Sequence, residues 1–278
     1  MRAATAILRP SGRSEDEAMP WPARLLPTTA RRQVVAFYRF AVAATAVADA
    51  PTLSAEEKLT RFEILDDALA GNSQAGTAAA LRREVKGDGL LLVHAGELLQ
   101  AFRRDAVCDH CRDWADLMTY CRFSAVPIGR FLLDVHGEDP AAFAAGDALC
   151  VALQILDLIR SSGADYKSLG RIYMPRDWLM RAGVASDAFA DDAASPRLRR
   201  VFDEVLDGVD GLIELSSALA NHLRDRRLRM LAAAAVMLAQ RLCCRLRIAD
   251  PLAGPVRLGA WDYLVAAAGG LFGAHDGA

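Results

Sequence analysis

The stretch Leu149-Cys150-Val151-Ala152-Leu153-Gln154-Ile155-Leu156-Asp157-Leu158-Ile159-Arg160-Ser161-Ser162 decides the fold class. Apolar residues fall on nearly every face of a helix drawn through it, which is the pattern of a segment buried on all sides. Upstream, Asp139-Pro140 is a cap with Pro at the first helical position, so the helix is predicted to run from there to about Ser162. A loop holding Gly163, Gly170 and Pro175 is expected to follow.

Working outward, the same reading applies on both sides. Thr28 to about Ala50 is a second mostly apolar helix, stopped by Pro51. Ser54 and Glu57 form a capping box opening a helix to about Ala70, and Gly71-Asn72 ends it. A short helix holds Leu81 to Val85, and Leu90 to about Ala106 forms a longer one. Asp113 caps a helix to about His136 that Pro127 should kink. Residues 186–196 read as a polar loop, and helices are expected near 196–222, 224–246 and 259–270. Alternating strand patterns are missing, and the apolar content is mostly Ala and Leu, which lose little entropy in a helix. The expectation is an all-α single domain over 28–278, preceded by an irregular arm over 1–27 that carries Pro10, Pro20, Pro22 and Pro27.

Charge narrows the partners. With 33 Lys and Arg against 35 Asp and Glu, there is no basic field of the kind nucleic acid requires. Met1 to Pro10 lacks the long apolar run of a secretory signal, and Met230 to Ala239, read as the most apolar stretch, is too short to cross a bilayer. A soluble or peripheral protein is expected. Cys108, His110 and Cys111 form a C-x-H-C cluster, but a zinc site needs a second pair at defined spacing, and Cys121 alone does not supply it. Buried or incidental thiols are the simpler reading, with a metal-sensing Cys/His protein as a third functional alternative.

Chemistry concentrates where polar residues interrupt the apolar helices. Asp157, Ser161 and Asp165 stand four apart, one ribbon along a helix if the helix continues past Gly163. Oxygen ligands in a row suit Mg²⁺, which keeps several waters and substrate phosphates. Equally, Asp157 could be a solvated position and Ser161 to Asp165 a helix end.

The run Tyr38-Arg39-Phe40-Ala41, Ala48-Asp49 and Pro51-Thr52-Leu53-Ser54-Ala55-Glu56-Glu57-Lys58-Leu59 resembles the first block of squalene/phytoene synthases, and most closely the bacterial hydroxysqualene synthases of hopanoid biosynthesis. Similar blocks continue through Asp113-Trp114, Tyr120 to Ala125, Pro127 to Arg130, Val135 to Glu138, Ala152-Leu153-Gln154, Asp165-Tyr166-Lys167, Gly170 to Pro175 and Asp250 to Gly254. Several collinear blocks weigh far more than one motif. The resemblance implies a helical bundle of the isoprenoid synthase type enclosing an apolar cavity, with two Asp-rich helices holding Mg²⁺ against a prenyl diphosphate. It implies conversion of presqualene diphosphate to hydroxysqualene. Metal would be held by Asp49, Asp157, Ser161 and Asp165, and substrate by Arg122, Arg130, Arg171 and Gln154, with Tyr120 and Tyr173 as catalytic residues. It further implies a cytoplasmic protein, peripheral on the inner membrane, working beside other hopanoid-pathway enzymes.

The sequence departs from the family where the metal should sit. The first family motif reads Asp-Asp-x-x-Asp with an Arg three residues before it, and those places hold Thr45, Ala46, Asp49 and Val42. The second reads Asn-x-x-x-Asp-x-x-x-Asp, and here it is Asp157, Ser161 and Asp165, similar to the Asn/Ser/Glu triad of other terpene synthases. The arm also lacks the polar residues expected near Ala18 and Ala23. Two readings therefore stand: a synthase with a weakened metal site, or a catalytically silent relative that binds a lipid or a protein partner. Tyr120 and Tyr173 could equally be core residues with hydrogen-bonded tips, and Arg130 one half of a surface ion pair.

Overall fold

A computed structural model of the chain describes residues 26–108 and 110–273. Of the N-terminal arm only Leu26 and Pro27 fall within this range, so Ala18, Ala23 and most of the arm lie outside the described residues. Leu26 is buried in the core, and Pro27 occupies the cap position of the first helix.

Among the described residues the architecture is helical apart from one short pair of strands. The elements are α1 (Thr28–Ala48), α2 (Ala55–Ala70), α3 (Gly76–Glu84), α4 (Gly89–Val107), β1 (His110–Cys111), α5 (Trp114–Ser124), α6 (Val126–Val135), α7 (Phe143–Leu169), β2 (Ile172–Pro175), α8 (Arg176–Ala182), α9 (Pro196–Ser216), α10 (Leu219–His222), α11 (Arg226–Ile248) and α12 (Ala260–Gly273). Ser54 caps α2 by the reciprocal bonds the sequence predicts: its hydroxyl accepts from the Glu57 amide at 3.2 Å, and the Glu57 carboxylate accepts from the Ser54 amide at 2.7 Å.

Buried apolar side chains form two clusters. One gathers α1 to α4 around Phe40, Phe62, Leu98 and Leu99; the other surrounds α7 with side chains from α5, α9 and α11. Phe37 of α1 stacks on Phe131 of α6 at 4.1 Å between ring centres, and Val34 packs against both clusters.

Several expectations are corrected. The stretch from Asp113 to His136 is two helices, not one kinked helix. Ala125 leaves helical geometry at φ −126°, and Pro127, which lacks an amide hydrogen, lies in the first turn of α6. The helix α7 begins at Phe143, after a 3₁₀ turn over Pro140–Ala142, and runs through Gly163 to Leu169. Gly163 thus lies inside a helix rather than in a loop. A Cβ there would come 2.8 Å from Cδ2 of Leu252, so packing, not turn formation, explains the glycine. The segment 186–196 contains a 3₁₀ turn, Ser186–Phe189, with Phe189 fully buried. Helix 196–222 is divided into α9 and α10.

The most apolar long segment is also not Met230 to Ala239. Pro140–Leu169 is long and apolar enough to cross a membrane, with mean hydropathy 1.8 over its best window, but 78% of that window is buried inside the protein. It is the central core helix.

Two features of the fold position the site. The short parallel pair β1–β2 pairs His110 with Ile172, bringing the chain after α7 against the end of α4. The continuation of α7 past Gly163 extends its polar ribbon by a full turn.

Candidate active site

Between α1, α4, α5, α7 and β2 lies an open cleft of about 430 Å³, its mouth included. Its walls carry Thr45 and Asp49 from α1, Phe102 and Asp105 from α4, and Tyr120 from α5. From α7 come Gln154, Asp157, Leu158, Ser161, Asp165 and Leu169, and beyond it Arg171 and Tyr173. The ribbon of Asp157, Ser161 and Asp165 thus faces the last turn of α1 across one hollow.

Arg171 is the hub. Its side chain is 6% exposed, and it donates to Oδ1 of Asp49 at 2.9 Å, to the Ala48 carbonyl at 2.9 Å and to the Asp105 carbonyl at 3.0 Å. The two carbonyls come from the ends of α1 and α4, where backbone oxygens lack helical partners and the dipole favours a cation. Burial opposes the charge on Arg171, but Tyr173, Asp105 and Asp49 more than offset it, and the guanidinium is held above its ordinary value.

Asp105 was not singled out in the sequence. Its side chain is 7% exposed, and it accepts hydrogen bonds from Tyr120 at 3.0 Å and Tyr173 at 3.2 Å. Burial pushes its carboxyl up to about 6, against the lowering effects of Arg171 and the Tyr120 hydroxyl. The two tyrosine rings lie 4.9 Å apart and are themselves raised well above their ordinary value, chiefly by burial and then by Asp105. The only signal for Asp105 in the sequence was a carboxylate after Arg103 and Arg104 at the end of an apolar helix.

On α7, Ser161 donates to Oδ2 of Asp165 at 2.5 Å, and Arg160 contacts Oδ1 of Asp157. Gln154 lies on the same face, two turns before Ser161.

Two proposed substrate contacts do not reach the cleft. Arg122 follows Tyr120 by two positions on α5, roughly 200° around the helix, and is exposed with its guanidinium 5.3 Å from the ring centre of Phe123. Arg130 forms a two-pronged pair with Asp147 at 3.0 and 2.6 Å and lies over Phe143. The ion-pair reading of Arg130 describes its surroundings. Near Cys108 and Cys111 a cation already sits: Arg104 donates to Asp116 at 2.9 Å and lies 3.6 Å from the Cys111 sulfur. Burial raises the Cys111 thiol to about 12.

Across this length the squalene/phytoene synthase profile matches residues 13–262. The chain belongs to the squalene/phytoene synthase family. It is 33% identical over 265 residues to a hydroxysqualene synthase of Rhodopseudomonas palustris, covering 95% of this chain and 91% of that protein. It is 36% identical to a hydroxysqualene synthase of Zymomonas mobilis, covering 93% and 89%. The crystal structure of squalene synthase HpnC from Alicyclobacillus acidocaldarius superposes with a TM-score of 0.71 at 25% identity, covering 81% of this chain and 86% of that one.

The family uses Mg²⁺ held by Asp-rich motifs, and the residues present fit that ion unequally. Among the described residues no three His, Cys, Asp or Glu side chains converge on one point. On α1, Thr45 donates its hydroxyl to the Ala41 carbonyl at 2.9 Å, Val42 and Ala46 offer no ligand atom, and Asp49 is held by Arg171. Arg171 is held by three acceptors. The α1 side does not fit a metal cluster. On the α7 ribbon Asp157, paired with Arg160 of its own helix, stands with Ser161 and Asp165 on the cleft wall as the oxygen donors such an ion would meet.

Proposed function

We propose that this squalene/phytoene synthase family member converts presqualene diphosphate to hydroxysqualene in the cleft between α1 and α7. The observation that carries this reading is the convergence of Asp157, Ser161, Asp165, Arg171, Asp105 and both tyrosines on one hollow. The hollow is open to solvent on one side, so a substrate's diphosphate head can reach these side chains from the surface.

Asp157, Ser161 and Asp165 would hold a single Mg²⁺, with diphosphate oxygens and water completing its shell. Bound there, the ion supplies Lewis-acid neutralisation of the departing diphosphate. Arg171 adds fixed positive charge on the opposite wall, and Gln154 contributes an amide for orientation. Once the carbon–oxygen bond to diphosphate breaks, Phe102, Leu158 and Leu169 present apolar surface, without nucleophilic atoms, beside the rearranging cation. One water then adds its oxygen to the cation and must lose a proton. Asp105, raised to about 6, is ionised near neutral pH and basic enough to take it. Tyr120 and Tyr173 fix that carboxylate by donating to both its oxygens.

Because substrate and product are lipids, the same reading places the protein in the cytoplasm against the inner membrane, beside enzymes that make presqualene diphosphate and consume hydroxysqualene. Exposed Trp261 and Leu264 on α12, and Ile248 ending α11, are apolar surface suited to that contact. The 28–278 segment acts as one domain in this proposal.

A second reading rests on the Arg171–Asp49 pair, which closes the α1 motif: a relative that binds the prenyl diphosphate without turning it over. Incubation with presqualene diphosphate and Mg²⁺ in H₂¹⁸O, with products weighed by mass spectrometry, separates the two. Hydroxysqualene carrying ¹⁸O is expected. Binding without product would establish the silent relative instead.

A further inference from the structure

We infer that the surface where α11 meets α12 docks this protein on a bilayer of anionic phospholipid, with Trp261, Leu264 and Ile248 entering the headgroup layer and Arg245 and Arg257 meeting lipid phosphates. This rests on the lipid-surface contact proposed above, and adds to it the headgroup charge and the residues that read it.

Three observations carry it. First, large apolar side chains are exposed and set together: Trp261 is 71% exposed, Leu264 62% and Ile248 90%. Trp261 and Leu264 share one face of α12 at a three-residue spacing, and Arg245 and Ile248 share one face of α11 in the same way. The two faces are tied together, because Arg245 donates to the Arg257 carbonyl at 3.0 Å and to Asp262, beside Trp261, at 2.6 Å. Second, the charge among them is positive. Over residues 242–264 the carboxylates are Asp250 and Asp262. Asp262 is buried and shared by Arg241, Arg245 and the Gly259 amide, while Asp250 accepts from the amides of Ala194 and Leu252. Exposed Asp207 and Asp210 of α9 are held by Arg247, roughly 200° around α11 from Arg245. Two arginines share Asp262 and exposed Arg257 adds a third cation, so the patch is net positive. An indole and aliphatic groups flanked by cations suit the interface of a negatively charged bilayer. A second copy of the chain would instead set these cations against themselves across a two-fold contact. Third, the patch backs onto the cleft. Tyr263 of α12 packs inward against the core around α7, where the charge of Arg160 acts on its hydroxyl. Arg160 in turn pairs with Asp157 on the cleft wall. One helix, about 10 Å across, therefore lies between the docking face and the wall of the cleft.

The full chain is mixed with vesicles of phosphatidylcholine alone, and of phosphatidylcholine with phosphatidylglycerol, and bound protein is measured by flotation. Binding at least about tenfold stronger on the anionic vesicles is expected, weakening as salt is raised. Trp261→Ser with Leu264→Ser should abolish binding to the anionic vesicles, and Arg257→Glu should bring it down toward the level on neutral ones. All three side chains are exposed, so the core is left intact, and circular dichroism checks that the variants fold. No binding, or binding untouched by the Trp261 and Leu264 changes, overturns the inference. A dimer that those changes abolish, in a chain that ignores vesicles, overturns it in favour of a second copy. Equal binding to both vesicles overturns the anionic preference while leaving a general lipid contact standing. Failure to form hydroxysqualene from micellar substrate would bear on the proposed reaction and leave vesicle binding untouched.

Discussion

Arg171 and Asp49, separated by 122 positions in the chain, meet at 2.9 Å on the wall of the cleft. The pair joins the end of α1 to the residue that follows α7, and two backbone carbonyls complete the guanidinium's partners. A buried charge pair of this kind adds little net stability over an apolar pair, but removing one partner strands the other.

The first prediction follows from that asymmetry. Arg171→Met removes the guanidinium beside Asp49 and the donor to two helix-end carbonyls, and is expected to cost about 3–5 kcal/mol. Asp49→Asn keeps a neutral acceptor and should cost about half as much or less. Urea denaturation midpoints check the ranking, and equal losses would show that the pair does not anchor α1.

A second prediction concerns pH. The folded Asp105 carboxyl, at about 6, lies above its unfolded value of 3.8. Between those values the unfolded chain has released a proton that the folded chain still holds. Folding stability from this group therefore falls as pH rises through roughly 4 to 6, and the full penalty, on the order of 3 kcal/mol, applies above pH 6. Asp105→Asn should flatten the stability profile across that window relative to the parent chain. As the proposed base, Asp105 should also make kcat/KM rise with pH through about 6, so a profile flat from pH 5 to 7 would remove it from that role.

Tyr120→Phe tests the tyrosine pair. The substitution keeps the ring against Tyr173 but deletes the hydroxyl that donates to Asp105 at 3.0 Å. A lost hydrogen bond to a buried charge costs about 1.5–3 kcal/mol, and the Asp105 carboxyl should move further up. The measurement is the shift to higher pH of the acidic limb of the activity profile, which a purely structural tyrosine would leave in place.

Gly129→Ala tests the packing that sets α6 against α7. A Cβ at Gly129 would lie 2.4 Å from the Cys150 sulfur, closer than atoms can approach without movement. Overpacking of this kind costs about 1–3 kcal/mol. Adding Cys150→Ala removes the obstructing sulfur and should recover most of the loss, giving a coupling of about 1 kcal/mol or more in a double-mutant cycle. Additive effects would place the strain elsewhere.

The sequence alone determined what depends on neighbours within a few residues. The capping box of Ser54 and Glu57, the buried character of α7 and the four-residue spacing of Asp157, Ser161 and Asp165 are local, because helix periodicity fixes which side chains share a face. The collinear blocks were equally legible, and with them the family. Tertiary structure decided everything that depends on helices meeting. Arg122 is one residue pattern away from Tyr120, but rotation around α5 sends one to solvent and the other into the cleft. Asp105 was not singled out in the sequence, and it is the meeting of α4 with α5 and the segment after α7 that buries it between two tyrosines and a guanidinium. The charge of a site is a sum over residues far apart in the chain. Local spacing can place a carboxylate on a face, but it cannot say that an arginine 122 positions away will already be there to meet it.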